Sequence, residues 1–121
     1  MGYFFDSYAI IEIIKGNPNY LAYSGEIFIT TTINLAEVYY SLIRTTDEKI
    51  ANEIINKFNF EFLGIDKEST IDAAKLKHLY KKEELSYIDC VGYVLAKNNG
   101  MKFLTGDEKF EKKENVEFVV K

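Results

Sequence analysis

The sequence predicts an α/β protein, a parallel sheet with helices packed on both of its faces. Short apolar runs alternate along the chain with longer segments of helical period, and parallel strands need a crossover between them, so this alternation stacks helices on either side of a sheet. With 121 residues there is room for one core of ordinary size, and residues 1–121 are expected to form a single domain. A composition of 47% hydrophobic and 28% charged residues, with one proline and 7 glycines, suits a packed chain rather than a disordered one. No linker, repeat or low-complexity stretch interrupts it.

Tyr3-Phe4-Phe5 is an apolar aromatic run that reads as a buried first strand ending at Asp6. The period then changes. Ser7 is placed to cap a helix in which Ala9, Ile10, Ile13 and Ile14 recur at helical spacing, and Gly16 with Asn17-Pro18 ends it. Residues 26–31 are β-branched and aromatic enough for a second strand, and Leu35, Val38, Tyr39 and Leu42 mark the face of the helix that follows. Asp47 suits the N-cap of a helix through Ile50, Ile54, Ile55 and Phe58, after which residues 60–65 form a strand or extended segment. Asp66 starts another helix, and from Lys67 to about Glu84 the chain is charged and helical, with Ile71, Ala74, Leu76 and Leu79 as an intermittent apolar stripe. Ser86 caps a helix that runs to Asn99-Gly100; residues 102–105 are a short strand, Gly106-Asp107 a turn, and residues 116–120 a final strand.

No apolar run approaches the roughly 20 residues that a membrane span needs, and the N-terminus lacks both a basic region and the hydroxyl residue of a myristoylation signal. The lone cysteine, Cys90, has no disulfide partner. A cytoplasmic protein with no membrane contact is expected. His78 is the only histidine, so a His/Cys zinc site and a Ser-His-Asp triad both lack parts, and acids must carry any catalysis. The net charge of -4 argues against a DNA-binding module built on broad phosphate neutralisation. It leaves a nuclease open, because bound divalent cations offset acids at the site itself.

Most acids sit in polar runs such as Asp47-Glu48-Lys49, which read as solvated faces. Four do not. Asp6 and Asp107 each follow an expected strand, and so fall at the carboxyl edge of the sheet, where ligands of such folds collect. An Asp after a strand is equally a turn or N-cap residue. Glu37 and Asp89 lie in early turns of apolar helices, where an ionised carboxylate is costly unless a cation or several donors pair with it; a helix N-terminus supplies some of that pairing. Clustered carboxylates stay ionised near neutral pH by binding hard cations, and an oxygen-only set selects Mg2+ or Mn2+. Such a site activates a water for in-line attack on a phosphodiester, with Thr105 and Ser7 placed to orient carboxylates or ligand water.

The order Phe5-Asp6-Ser7, Leu35-Ala36-Glu37-Val38, Tyr87-Ile88-Asp89-Cys90 and Leu104-Thr105-Gly106-Asp107 resembles the PIN domain over nearly the whole chain. Within that family it is most similar to the VapC-type toxins of prokaryotic toxin–antitoxin pairs. Each motif alone is weakly specific; four in this order on matching elements are much more so. The resemblance implies a three-layer α/β/α fold with a central five-stranded parallel sheet, and an Mg2+- or Mn2+-dependent endoribonuclease acting on RNA. Asp6, Glu37, Asp89 and Asp107 would be its catalytic and metal-binding acids, with Thr105 as the supporting hydroxyl. It also implies a homodimer and an antitoxin protein that blocks the site. A further acid often follows the last one in the family, and Glu108 and Glu111 compete for that place. Cys90 stands where a small residue such as Ala is usual and reads as core filler. Thr30 to Thr32 occupy a segment where the family commonly has Ser.

Two other readings of such a fold are a binding or scaffold protein with a silent site, and a housekeeping RNA-processing nuclease. A phosphoacceptor domain of receiver type also gathers acids at strand ends, but it expects paired acids there and the first strand ends in Asp6 alone. Tyr39, Tyr40, Phe58, Phe60 and Phe62 form an aromatic surplus that suits either the core or an interface. Lys97, Lys102, Lys109, Lys112 and Lys113 fall near the expected mouth, as phosphate guides or a solvated face.

Overall fold

The computed structural model describes residues 2–121 and has a five-stranded, wholly parallel sheet in the order β3-β2-β1-β4-β5. The strands are β1 Tyr3–Phe5, β2 Phe28–Thr30, β3 Phe60–Phe62, β4 Lys102–Thr105 and β5 Val116–Phe118. The helices are α1 Ser7–Ile14, α2 Thr32–Thr45, α3 Glu48–Ile55, α4 Lys67–Leu79 and α5 Tyr87–Asn98. Helices flank the sheet on both faces, as the alternation of periods predicts.

Side chains alternate across a strand, so each strand feeds two cores. Phe4 and Phe103 turn to one face, where they pack with Ala73 of α4 and with Cys90, Tyr93 and Val94 of α5. Phe5 and Leu104 turn to the other, onto Ala9, Ile10 and Ile13 of α1, Val38 and Leu42 of α2, and Ala51 of α3. Gly92 lets α5 lie close on the sheet: a Cβ there would stand 2.8 Å from Phe4 and 3.0 Å from Phe103. Cys90 is fully buried and its thiol pKa is pushed up to about 11 by burial, so it packs as a small apolar residue.

Several boundaries differ from the sequence expectation for identifiable reasons. Asp6, rather than Ser7, is the N-cap of α1, accepting a bond from the Ser7 N–H at 2.9 Å, and Ser7 is the first helical residue. Pro18–Tyr23 forms a 3-10 run started by Pro18 and the Asn17 side chain. Phe58 lies beyond the end of α3 and packs on Phe28. Helix α4 stops at Leu79, followed by a 3-10 turn at Lys81–Glu83 and a left-handed Glu84 at φ 55°. Its buried face is Ser69 and Ala73, continued by half-buried Leu76 and Tyr80, whereas Ile71 and Leu79 are 47% and 71% exposed. That helix packs mainly on α5, and small residues permit the approach where an apolar-stripe reading favours large ones.

Candidate active site

The strand order reverses between β1 and β4, the place in an open parallel sheet where a crevice opens beyond the carboxyl ends. Phe5 pairs with Leu104 there, and the Asp6 N–H donates to the Leu104 carbonyl at 3.0 Å. Asp6 is therefore the residue just past β1, and Thr105, Gly106 and Asp107 lead out of the neighbouring β4. Register alone sets these two stretches side by side.

Asp6 is 2% exposed and has both oxygens engaged. Oδ1 accepts from the Ser7 N–H, and Oδ2 accepts from the Thr105 hydroxyl at 2.7 Å. The Thr105 Oγ1 in turn accepts from the Asp107 N–H at 3.1 Å, so one buried hydroxyl ties the first acid to the backbone of the last. Asp107 caps the 3-10 turn Glu108–Phe110 through Oδ1, which accepts from the Lys109 N–H at 3.0 Å. The cap reading thus holds for both Asp residues, and both lie at the carboxyl edge of the sheet.

Glu37 reaches the same place from α2. Its Oε1 accepts from the Ser7 hydroxyl at 2.6 Å, and Ser7 Oγ accepts from the Asn34 side-chain amide at 2.9 Å. Asn34 is 1% exposed; its Oδ1 accepts from Thr31 Oγ1 at 2.6 Å, and its N–H donates back to that oxygen at 3.1 Å. Thr31 is the N-cap of α2, and Thr30 uses its hydroxyl to donate to the Phe5 carbonyl at 2.8 Å. Asn34 is a site-supporting residue that the sequence reading missed. Its signal is the Thr31-x-x-Asn34 spacing of a reciprocal cap at the head of the helix that carries Glu37.

Asp89 sits half-buried in the first turn of α5, its N–H donating to the Ser86 hydroxyl at 3.1 Å. The loop before it is held by two lysines. Lys113 is buried to 9% side-chain exposure, pairs with Glu83 at 2.6 Å, donates to the Lys109 carbonyl at 2.7 Å and lies 4.1 Å over the Tyr80 ring. It thereby joins the loop that leads to Asp89 to the turn that follows Asp107. Lys77 donates to the Leu85 carbonyl and lies 5.0 Å over Tyr87.

Electrostatics mark the four acids as one group. Burial, then the charge of Asp89, push the Asp6 pKa up to about 8; Glu37 adds to the rise, while the bonds from Thr105 and Ser7 oppose it. Burial and the charge of Asp107 also raise Asp89, against the pull of Ser86 and Lys109. Among the described residues none of the four acids forms an ion pair. Apart from the pull of Lys109 on Asp89, no protein cation is seen to offset their mutual repulsion among the described residues, and an all-oxygen donor set of this kind fits a hard divalent ion. The fit rests on donor chemistry: among the described residues no three His, Cys, Asp or Glu side chains make a ready-made cage.

The remaining expected residues divide. Glu108 and Glu111 are both exposed, and Glu108 acts electrostatically on the Tyr8 phenol. Of the lysines, Lys109 acts on Asp89, whereas Lys102 begins β4 at the end away from Asp107, and Lys113 is committed to Glu83. Phe58 and Phe60 both pack on Phe28, and Phe60 stacks on Phe62, while Phe62 and Tyr40 are 42% and 63% exposed. No helix of the described residues is long and apolar enough to cross a membrane.

Solved structures of the same shape include VapC20 of Mycobacterium tuberculosis, described as a sarcin-ricin-loop-cleaving toxin. Its TM-score is 0.76 at 14% identity, covering 98% of this chain and 99% of that one. A toxin–antitoxin complex from Klebsiella pneumoniae gives 0.72 at 17% identity, over 97% of this chain and 96% of that one. VapBC2 of Rickettsia felis, bound to a DNA fragment from its promoter, gives 0.72 at 16%, over 100% and 98%. At such identities the likeness is one of fold. Among curated proteins none is similar enough to match. The family model of the PIN domain, however, matches residues 3–116, nearly the whole chain, and the chain belongs to the PIN domain family.

Proposed function

We propose that this protein is an Mg2+- or Mn2+-dependent endoribonuclease that hydrolyses RNA phosphodiesters, and that it is the toxin of a VapBC-type pair. The observation that carries the first part is Asp6, a buried carboxylate at the switch point whose charge is opposed by Asp89 and Glu37 and met by no protein cation. Asp6, Glu37, Asp89 and Asp107 would hold the metal. A bound divalent ion supplies an activated water and stabilises the leaving oxygen. The chain's own part is orientation. Thr105 and the Ser7 N–H fix the Asp6 carboxylate, Ser7 fixes one oxygen of Glu37, and the start of α5 presents Asp89. With these groups held before the substrate arrives, little reorganisation is left to the reaction.

The toxin role is supported by the three similar structures, each a toxin or a toxin–antitoxin complex. It carries with it an antitoxin protein partner, a homodimer and a cytoplasmic setting, with residues 1–121 as one domain. Total RNA incubated with the purified protein and Mn2+ should yield discrete fragments. EDTA, or Asp6→Asn with Asp89→Asn, should abolish them; an Asp6→Asn protein that cuts as fast as wild type refutes the reading. Induced expression arresting growth, with Asp6→Asn harmless, separates a toxin from a housekeeping nuclease. The lack of a ready-made cage among the described residues favours one second reading, a catalytically silent binding protein. Calorimetric titration with Mn2+ decides between them, since no binding up to millimolar metal supports the silent form.

A further inference from the structure

A cleft of about 360 Å3 adjoins Asp107, lined by Tyr8, Gly106, Glu108, Lys109, Phe118 and Lys121 among others. Its size lies within the range of small-ligand sites. Its walls are built rather than incidental. Gly106 has no side chain where a Cβ would stand 2.3 Å from the Tyr20 hydroxyl and 2.5 Å from the Tyr8 ring, so the Tyr8 ring lies against bare backbone next to Asp107. The opposite wall is the segment after β5. Tyr20 donates to the Val119 carbonyl at 2.8 Å, the Asn19 amide reaches the Val120 carbonyl at 3.2 Å, and the Val119 N–H donates to the Thr105 carbonyl at 3.0 Å.

The aromatic inventory singles out the same cleft. Most aromatic side chains of the described residues pack on another ring or under a cation. The exceptions are Tyr8, Tyr20, Tyr39 and Phe118. Tyr20 is fully buried and Tyr39 donates to Asn52, which explains both. Tyr8 and Phe118 are half-buried, come from opposite ends of the chain, and meet at this cleft. Lys109 and Lys121, neither of which forms an ion pair among the described residues, line it beside them, Lys109 also donating to the Glu84 carbonyl at 3.5 Å and acting on Asp89.

We infer that this cleft is a nucleobase subsite: it takes one unstacked base of single-stranded RNA against Tyr8 and Phe118, next to the phosphate presented to Asp107. This deepens the nuclease reading and rests on it. A base has a π-face whatever its identity, and stacking on an aromatic side chain is worth about 1–3 kcal/mol per base. The lysines supply the charge that draws the flanking phosphates past the acids.

The test uses 5′-labelled hexaribonucleotides, bound in EDTA and followed by anisotropy, beside a series carrying one abasic position at a time. Wild type is expected to lose roughly tenfold or more in affinity when one particular base is removed, and little for the others. Tyr8→Leu and Phe118→Leu should each weaken binding of the intact hexamer by about the same factor, while Tyr40→Leu, an exposed aromatic elsewhere, does not. The abasic and leucine effects should not multiply, because each removes the same contact. Cleavage with Mn2+ is measured in parallel. A wild type that cuts RNA yet shows no sensitive base, or variants that bind as tightly as wild type, overturns the subsite alone. A wild type that neither binds nor cuts overturns the nuclease reading and the subsite with it. If Phe118→Leu fails to fold, Tyr8→Leu and the abasic series on wild type decide.

Discussion

Replacing Asp6 by asparagine is expected to stabilise the metal-free protein at neutral pH while abolishing cleavage, the reverse of what removing a buried, twice-bonded side chain usually does. The carboxyl is 2% exposed, and burial followed by the Asp89 charge raises its pKa from 3.8 to about 8. Below pH 3.8 it is protonated in folded and unfolded chains alike. Between there and about 8 the unfolded chain releases a proton that the folded one keeps, so stability falls as pH rises and the full penalty is present above about 8. At pH 7 roughly three pH units at about 1.36 kcal/mol each set a ceiling near 4 kcal/mol. Asparagine keeps an acceptor for the Ser7 N–H, but its amide must donate where Oδ2 accepted. That turns the Thr105 hydroxyl round and leaves its proton without an acceptor, at a cost of about 1–3 kcal/mol. The expected balance is a gain of roughly 1–3 kcal/mol at pH 7, and a loss of similar size below about pH 4. Urea melts of both proteins in EDTA at pH 4, 6 and 8 measure it. A variant less stable than wild type by the same margin at every pH refutes the account, because the carboxylate would then carry no burial penalty.

Thr105→Val removes the donor to Asp6 and the acceptor for the Asp107 N–H, so a loss of about 1–3 kcal/mol in urea melts is expected. It also removes a bond that holds the Asp6 pKa down, so proton release on Mn2+ titration should move to higher pH, and an unchanged pH profile counts against the link. Gly92→Ala should destabilise by roughly 1–2 kcal/mol despite the helix-propensity gain, since the new methyl meets packed Phe4 and Phe103 rings. A raised melting temperature would show that α5 has room to shift. Lys113→Met should weaken Mn2+ binding several-fold while the chain stays folded, through the loop before Asp89 and the turn after Asp107, and Lys113→Arg should recover part of it. Calorimetry with Mn2+ reads this, and wild-type affinity in the methionine variant contradicts the coupling.

The sheet and the acids at its edge were legible in the sequence because each rests on local pattern. Tyr3-Phe4-Phe5 followed by Asp6-Ser7 is a strand meeting a helix start, and no distant residue is needed to read it. The same holds for Leu104-Thr105-Gly106-Asp107. Helix α4 was misread on its buried face because its packing is set by close approach to α5, through Ser69 and Ala73, a property of the pair rather than of the segment. The support network was hidden for a related reason. Ser7 to Glu37 and Thr105 to Asp6 are contacts across separations of 30 and 99 residues, and polar side chains give no periodic signal of such pairings. Lys113 looked like one lysine in a solvated run, and only the fold shows it buried between Tyr80 and Phe110.

The bond between Thr105 and Asp6 also has a consequence for the order in which the protein comes to life. Contacts of high sequence separation form slowly, since a long loop must close before they yield anything. A chain made from its N-terminus carries Asp6 and Glu37 before β4, which pairs with β1 and brings Asp107. Until that strand docks, the first acid lacks both its tether and its last companion. A chain whose β4 has not yet docked therefore holds only part of the acid cluster, with the Asp6 carboxyl untethered, so the candidate site is assembled by the same step that completes the middle of the sheet.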